Sequence, residues 1–201
     1  MREITQKAIP YLSDYYEQLC TEITEVLRNK GQAIVAIDGR CASGKTTLGE
    51  RMAQQYGCTV FHMDDFYLRA EQRTEARMST PGENVDYERF EEEILIPLRE
   101  NKPVYLRRII HGLFVPGEAE EVKPTPLVIV EGAYSSHPML RKYYDYSIFL
   151  TIDSESQSQR ILKRNGAVNH KMFVARWIPL EERYFATLKT DQLFNIILEG
   201  K

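Results

Sequence analysis

The 201-residue chain predicts a three-layer α/β fold, in which helices cover both faces of a mostly parallel central sheet. Three observations carry that expectation. The runs Ala33-Ile34-Val35-Ala36-Ile37, Leu127-Val128-Ile129-Val130 and Tyr146 to Ile152 are almost uniformly apolar, as strands buried on both faces are. Segments of helical periodicity separate these runs. A glycine-bearing stretch, Gly39 to Thr46, joins the first run to one of the helices. At 43% hydrophobic and 27% charged residues, the chain can bury a core and is expected to form one domain.

The elements follow in order. From Tyr11 to Lys30, Leu12, Tyr15, Tyr16, Leu19, Ile23, Val26 and Leu27 recur at three- and four-residue steps, the period of an amphipathic helix, and Gly31 supplies its stop. Strand Ala33 to Ile37, the glycine stretch and a helix from Thr47 to Tyr56 come next. A second strand, Thr59 to Met63, ends at Asp64-Asp65. Residues Arg69 to Asn84 lack periodicity, carry Pro81-Gly82 and are expected to form a mobile loop. Asp86 can cap a helix from Tyr87 to about Arg99 that turns Phe90, Ile94, Leu95 and Leu98 inward; Pro97 instead allows an earlier end. Val104 to Ile110 is branched and strand-like, and Gly117 to Pro126 has the composition of an exposed turn. Beyond Tyr146 to Ile152, helices are expected at Ser154 to Asn165 and Lys171 to Leu188, and a last strand at Leu193 to Leu198. Trp177, Tyr184 and Phe185 stand at helical spacing, as core or interface residues do.

Composition narrows the partners. With 26 Lys and Arg against 29 Asp and Glu, the formal charge of −3 provides no basic field for a phosphate backbone, so no nucleic acid is expected. Cys20, Cys41 and Cys58 are few, odd in number and not spaced as metal ligands. With no positive-then-apolar leader before the first helix, they point to a reduced, cytoplasmic setting. The apolar runs are far shorter than the about 20 residues that span a bilayer, so no membrane role is expected.

Gly39-x-x-x-x-Gly44-Lys45-Thr46 satisfies the Walker A pattern. Its glycines let backbone N–H groups converge on phosphate oxygens, and the following helix turns its positive dipole end toward the same anion. Residues Gly39, Arg40, Cys41, Ala42, Ser43, Gly44, Lys45, Thr46 and Thr47 are therefore the candidate ATP-binding segment. Lys45 would neutralise the β- and γ-phosphates, and the Thr46 hydroxyl would join the shell of a Mg²⁺ ion. Cys41, inside the loop, has two readings: an oxidisable thiol whose pKa the amides and Lys45 lower, or simply a small tolerated side chain.

In open parallel sheets ligands bind outside the carboxyl ends of the strands. Acidic residues close three of these strands: Asp38; Asp64 and Asp65; and Glu131. Phosphoryl transfer needs a group that accepts or orients the acceptor proton and one that helps hold the metal. Asp64 and Glu131 can divide those two jobs, Asp64 also being available to the metal. Asp65 reads as a turn cap, while Asp38 can hold either the loop backbone or the metal's water shell.

These residues resemble the uridine kinase and phosphoribulokinase branch of the P-loop kinases, which includes uridine-cytidine, pantothenate and nicotinamide riboside kinases. The likeness runs from about Gln32 to Leu198. It is carried by Ile37 to Thr46 with its Ala-Ser-Gly-Lys, by His62-Met63-Asp64-Asp65-Phe66-Tyr67 at the family's Asp-x-Phe-Tyr element, by Asn84-Val85-Asp86-Tyr87, and by Val130-Glu131-Gly132. The resemblance implies a P-loop NTPase three-layer α/β/α sandwich with a small lid and a β-ribbon acceptor region. In this frame residues 1–30 form an N-terminal helix, 31–66 the phosphate-loop and base region, 69–116 an acceptor-site insertion and 154–170 the lid. It further implies Asp64 as general base, Tyr67 as an acceptor-side aromatic contact, Glu131 as the magnesium-associated carboxylate, and Arg160 and Arg164 as lid arginines. The i, i+4 spacing of that pair places both guanidinium groups on one helix face.

The chain also departs from the family. Where uridine-cytidine kinases carry a Tyr-Asp pair and a following His, this chain has Tyr105-Leu106-Arg107-Arg108-Ile109-Ile110-His111. The Asp is missing, and His111 aligns only with a one-residue shift. Arg107 and Arg108 point to a more anionic or altered acceptor, and the lid after Arg164 is short. The leading expectation is thus an ATP- and Mg²⁺-dependent kinase acting on a small-molecule hydroxyl, with uridine or cytidine first and pantothenate, nicotinamide riboside or a sugar acid as alternatives. A nucleotide-binding regulatory protein without acceptor chemistry is the second expectation. No Asn-Lys-x-Asp guanine-reading element supports a GTPase, and the oligomeric state is open, a homo-oligomer included.

Overall fold

The computed structural model describes residues 9–188 and 193–200; the ends of the N-terminal segment (residues 1–8) and of the chain (residue 201), and residues 189–192, lie outside them. In chain order the elements are α1 (Leu12–Lys30), β1 (Ala33–Gly39), α2 (Lys45–Tyr56), β2 (Thr59–His62), α3 (Glu75–Ser79), α4 (Tyr87–Phe90) and α5 (Ile96–Arg99). There follow β3 (Val104–Leu106), β4 (Ile109–Ile110), β5 (Val115–Pro116), β6 (Glu120–Val122), β7 (Leu127–Glu131), β8 (Tyr146–Thr151), α6 (Ser154–Met172), α7 (Ile178–Leu188) and β9 (Ile196–Glu199).

Five strands form a parallel sheet in the order β2-β7-β1-β8-β9. Alternation along each strand sends side chains to two separate cores. In β7, Leu127 and Ile129 join Leu19, Ile23, Leu48 and Met52 beneath α1 and α2. Val128 and Val130 join Phe61, Phe66, Phe90, Ile94 and Phe149 on the other face. Tyr184 and Phe185 of α7 close that second core, whereas Trp177 is only half-buried. The three-layer α/β expectation therefore holds. Among the described residues no helix is long and apolar enough to cross a membrane.

The structure decides or changes the sequence reading in four places. Residues 69–84 are not a featureless loop: they contain a 3-10 turn at Ala70–Gln72 and α3, whose cap Thr74 accepts the Arg77 N–H at 3.2 Å. Arg77 also binds Glu88 at 2.6 Å and the Glu83 and Val85 carbonyls at 3.3 Å. Polar bonds hold this segment, which hydrophobic periodicity cannot register. Second, of the two ends open to the helix from Tyr87, the structure shows the one at Arg99 and not the earlier one at Pro97, with a wide π-type turn, Glu91–Leu95, on the way. Third, the expected turn from Gly117 to Pro126 contains β6, paired antiparallel with β3, while β4 pairs β5, so the insertion is a two-part ribbon. Fourth, the helix from Ser154 breaks at Gly166, in keeping with the expected end at Asn165, but helical turns resume directly beyond it and reach Met172, ahead of the expected start at Lys171.

Gly39 closes β1 at φ 136°, and a Cβ there would lie 2.0 Å from the Leu150 carbonyl oxygen of β8. Only glycine lets the chain turn into the Walker A segment while remaining paired with its neighbour. Gly57, at φ 61°, has open space around it. Gly39→Ala is expected to destabilise the protein by about 3 kcal/mol or more in urea unfolding, and Gly57→Ala by only about 1–2 kcal/mol.

Candidate active site

The Walker A segment leaves the carboxyl end of the central strand and opens α2, so its backbone N–H groups and the helix's positive end face the same space. Lys45 is buried and its Nζ donates to the carbonyls of Gly39 at 2.8 Å and Arg40 at 2.9 Å. Ser43 Oγ is buried with no hydrogen-bond partner among the described residues. Arg40 points away from the cleft, held in a two-pronged bond to Glu182 at 2.6 and 2.9 Å and to Thr151 at 2.6 Å.

Of the two roles open to Asp38, the structure shows the first. Fully buried, it accepts the N–H groups of Gly39 at 2.7 Å, Tyr134 at 3.1 Å and Ser136 at 3.0 Å, and the Tyr184 hydroxyl at 2.9 Å. Burial pushes its carboxyl above the ordinary range, and these donors and Lys45 oppose the shift.

A cleft of about 570 Å³ lies between the Walker A segment and the strand ends. Its walls bring together Cys41, Ala42, Gly44, Lys45, Thr46, Thr47, Asp64, Tyr67, Glu131, Arg160 and Arg164. Asp64 is exposed to the cleft and accepts the Tyr67 hydroxyl at 3.3 Å. Arg160 donates to the Ala42 carbonyl at 3.1 Å, which sets α6 against the loop, while Arg164 is exposed.

The remaining sequence candidates lie on the ribbon, outside these walls. His111 meets the Tyr67 ring edge-on at 5.9 Å between centroids. Arg107 is paired with Glu93. Arg108 binds Glu120 at 2.5 Å and Asp65 at 3.3 Å, so Asp65 anchors the ribbon to the end of β2. Both guanidinium groups that pointed to an anionic acceptor thus already face carboxylates.

Three residues that the sequence pattern did not single out belong to this region: His62, Lys163 and Glu181. His62 lies opposite Glu131 in the β2–β7 register and contacts its Oε1 through Nδ1 at 2.5 Å. That hydrogen bond raises the His62 pKa, against the effect of its own burial. Lys163 sits between Arg160 and Arg164 in sequence. Glu181 lies 140 residues beyond Cys41 and accepts its N–H at 2.8 Å, a juxtaposition no local pattern carries.

The oxygen donors suit a magnesium ion brought in with phosphates. Thr46 Oγ1 donates to Glu131 Oε1 at 3.1 Å, so a hydroxyl and a carboxylate share one point beside the phosphate segment. Among the described residues no three His, Cys, Asp or Glu side chains form a cation cage. Magnesium commonly takes one or two protein oxygens and completes its shell with water and substrate phosphate, which this pair fits.

No protein-family model matches the chain. Solved structures do resemble it. One is a possible uridine kinase from Bacillus stearothermophilus, with a TM-score of 0.67 and 21% identity over 93% of this chain and 98% of the other. A candidate fructose transport system kinase from a Silicibacter species has a TM-score of 0.66 and 26% identity over 92% and 98%. A candidate P-loop containing kinase with a circular permutation, from Saccharomyces cerevisiae, has a TM-score of 0.61 and 12% identity over 91% and 98%.

Cys41 does not have the activated thiol that one sequence reading allowed. Burial and the neighbouring Glu181 push its pKa up to about 12, outweighing Lys45. Alkylation of Cys41 by iodoacetamide at pH 8, followed by peptide mass spectrometry, is expected to be on the order of a hundredfold slower in the native protein than in urea. A phosphate segment at the head of a parallel sheet, with these structures as its counterparts, gives the chain the fold of the P-loop kinases, uridine kinase-like members among them.

Proposed function

We propose that the chain is an ATP- and magnesium-dependent kinase that phosphorylates a hydroxyl group of a small molecule. The observation that carries this reading is that Lys45, at the donor side, and Asp64, at the acceptor side, face one cleft with Thr46 and Glu131 between the same walls. The acceptor oxygen attacks the γ-phosphorus, the bond to the bridging oxygen breaks, ADP leaves and the hydroxyl proton passes to Asp64. Tyr67 donates to one Asp64 oxygen and so fixes the carboxylate without using its second oxygen. Lys45, Arg160 and Arg164 supply positive charge where the transferred group gathers negative charge. Magnesium, when bound, would neutralise the phosphate oxygens next to Thr46 and Glu131.

The acceptor class favoured here is a nucleoside such as uridine or cytidine, with a sugar as the next candidate. Tyr67 and His111 provide an aromatic corner beside Asp64 for a ring or a ribose face. The pairing of Arg107 and Arg108 with Glu93, Glu120 and Asp65 weighs against a strongly anionic acceptor. The likeness to a possible uridine kinase and to a candidate fructose transport system kinase supports both acceptors.

The test is ADP release from Mg·ATP across uridine, cytidine, other nucleosides, fructose, pantothenate and nicotinamide riboside. Release that depends on one acceptor is expected, with Asp64→Asn lowering turnover by about a hundredfold or more at nearly unchanged ATP affinity. Near-normal turnover in Asp64→Asn would remove this residue from the mechanism. Tight nucleotide binding with no release for any acceptor would favour a regulatory nucleotide-binding protein.

A further inference from the structure

Two helices grip residues 40–42 of the phosphate segment. From α6, the buried Gln157 donates to the Cys41 carbonyl at 3.1 Å and Arg160 to that of Ala42 at 3.1 Å. From α7, Glu182 holds Arg40, and its neighbour Glu181, only 6% exposed, accepts the Cys41 N–H at 2.8 Å. The last contact differs in kind from the others. Backbone N–H groups of such a segment are suited to phosphate oxygens, and here a carboxylate oxygen holds one of them.

Glu181 also lines the cleft beside Lys45, the residue whose place in the motif assigns it to the β- and γ-phosphates. Lys45 is close enough to act on the Glu181 charge, and burial raises the Glu181 pKa while Lys45 and the Cys41 N–H oppose the rise. The Glu181 carboxyl thus occupies a loop N–H beside the lysine that the motif assigns to the phosphates, and in its ionised form it is a desolvated negative charge in that cleft. Two anions beside a single ammonium repel each other strongly at low dielectric.

We infer that Glu181 is a specificity-determining residue of the nucleotide site: its carboxylate acts as an internal anion that a triphosphate must displace, so it sets the affinity for ATP more than for ADP. The inference rests on the nucleotide-binding reading of the same cleft. Glu181 lies on α7, whereas Gln157 and Arg160 lie on the part of α6 before its break at Gly166, so two separate helical segments hold the loop. The form with Glu181 on the Cys41 N–H lowers apparent affinity by reducing the competent fraction. Neutralising the side chain removes both the repulsion and the charge-assisted strength of that bond.

Glu181→Gln preserves an acceptor for the Cys41 N–H but removes the charge; Glu181→Ala removes both and serves as the second variant. Calorimetric titration with Mg·ATP and with Mg·ADP, alongside thermal unfolding, reads the effect. The expected result is Mg·ATP binding about tenfold or more tighter in Glu181→Gln, with a smaller gain for Mg·ADP. Unchanged or weaker Mg·ATP binding in this variant overturns the inference and makes Glu181 a structural support of the loop. An equal gain for both nucleotides overturns its placement beside the transferred phosphate. Absence of nucleotide binding by the unsubstituted protein is a separate outcome, which overturns the nucleotide reading and this inference with it.

Discussion

The buried carboxylate of Asp38 ties together the parts that make the cleft. It stands one residue before the end of β1, and its two oxygens accept the N–H of Gly39 in the Walker A segment, those of Tyr134 and Ser136 in the loop after β7, and the hydroxyl of Tyr184 on α7. An ionised group taken out of water is costly unless donors surround it, and here each donor comes from a segment that must sit at a defined distance from the others. The second constraint is steric. Gly39 leaves no room for a Cβ against β8, so the segment must turn at that residue. Charge satisfaction and close packing thus converge on the same few ångströms of backbone.

Charge is distributed unevenly around the resulting cleft. Lys45, Arg160, Lys163 and Arg164 come from the Walker A segment and α6, while Asp64 and Glu131 come from the ends of β2 and β7. The carboxylates are themselves positioned: Asp64 by Tyr67, Glu131 by Thr46 and His62. Side chains locked by such neighbours spend less entropy on reaching a reactive geometry. Farther out, the Asp65–Arg108 and Arg107–Glu93 pairs attach the β-ribbon to the same framework, which sets the distance from His111 to Tyr67.

Much of this was legible in the chain because it depends on short-range pattern. Uniformly apolar runs marked the parallel strands, and the spacing of Gly39, Gly44, Lys45 and Thr46 marked the phosphate segment. Strand-end carboxylates then pointed to Asp64 and Glu131. Contacts between segments distant in sequence were not legible: Glu181 on Cys41, His62 on Glu131, Arg40 on Glu182. Nor was the order in residues 69–84, whose bonds come from Thr74 and Arg77 rather than from a periodic apolar face. At Cys41, burial and then the neighbouring Glu181 outweigh the lysine that the motif alone displays, which excludes the activated thiol and leaves the other reading.

In the proposed reading the Walker A segment binds the phosphates of a magnesium nucleotide through Lys45. Calorimetric titration of the protein and of Lys45→Ala with Mg·ATP tests it most directly. One saturable site is expected in the unsubstituted protein and at least about tenfold weaker binding in Lys45→Ala, the loss expected for one charge-assisted contact to phosphate. Equal affinity in the two proteins would contradict it.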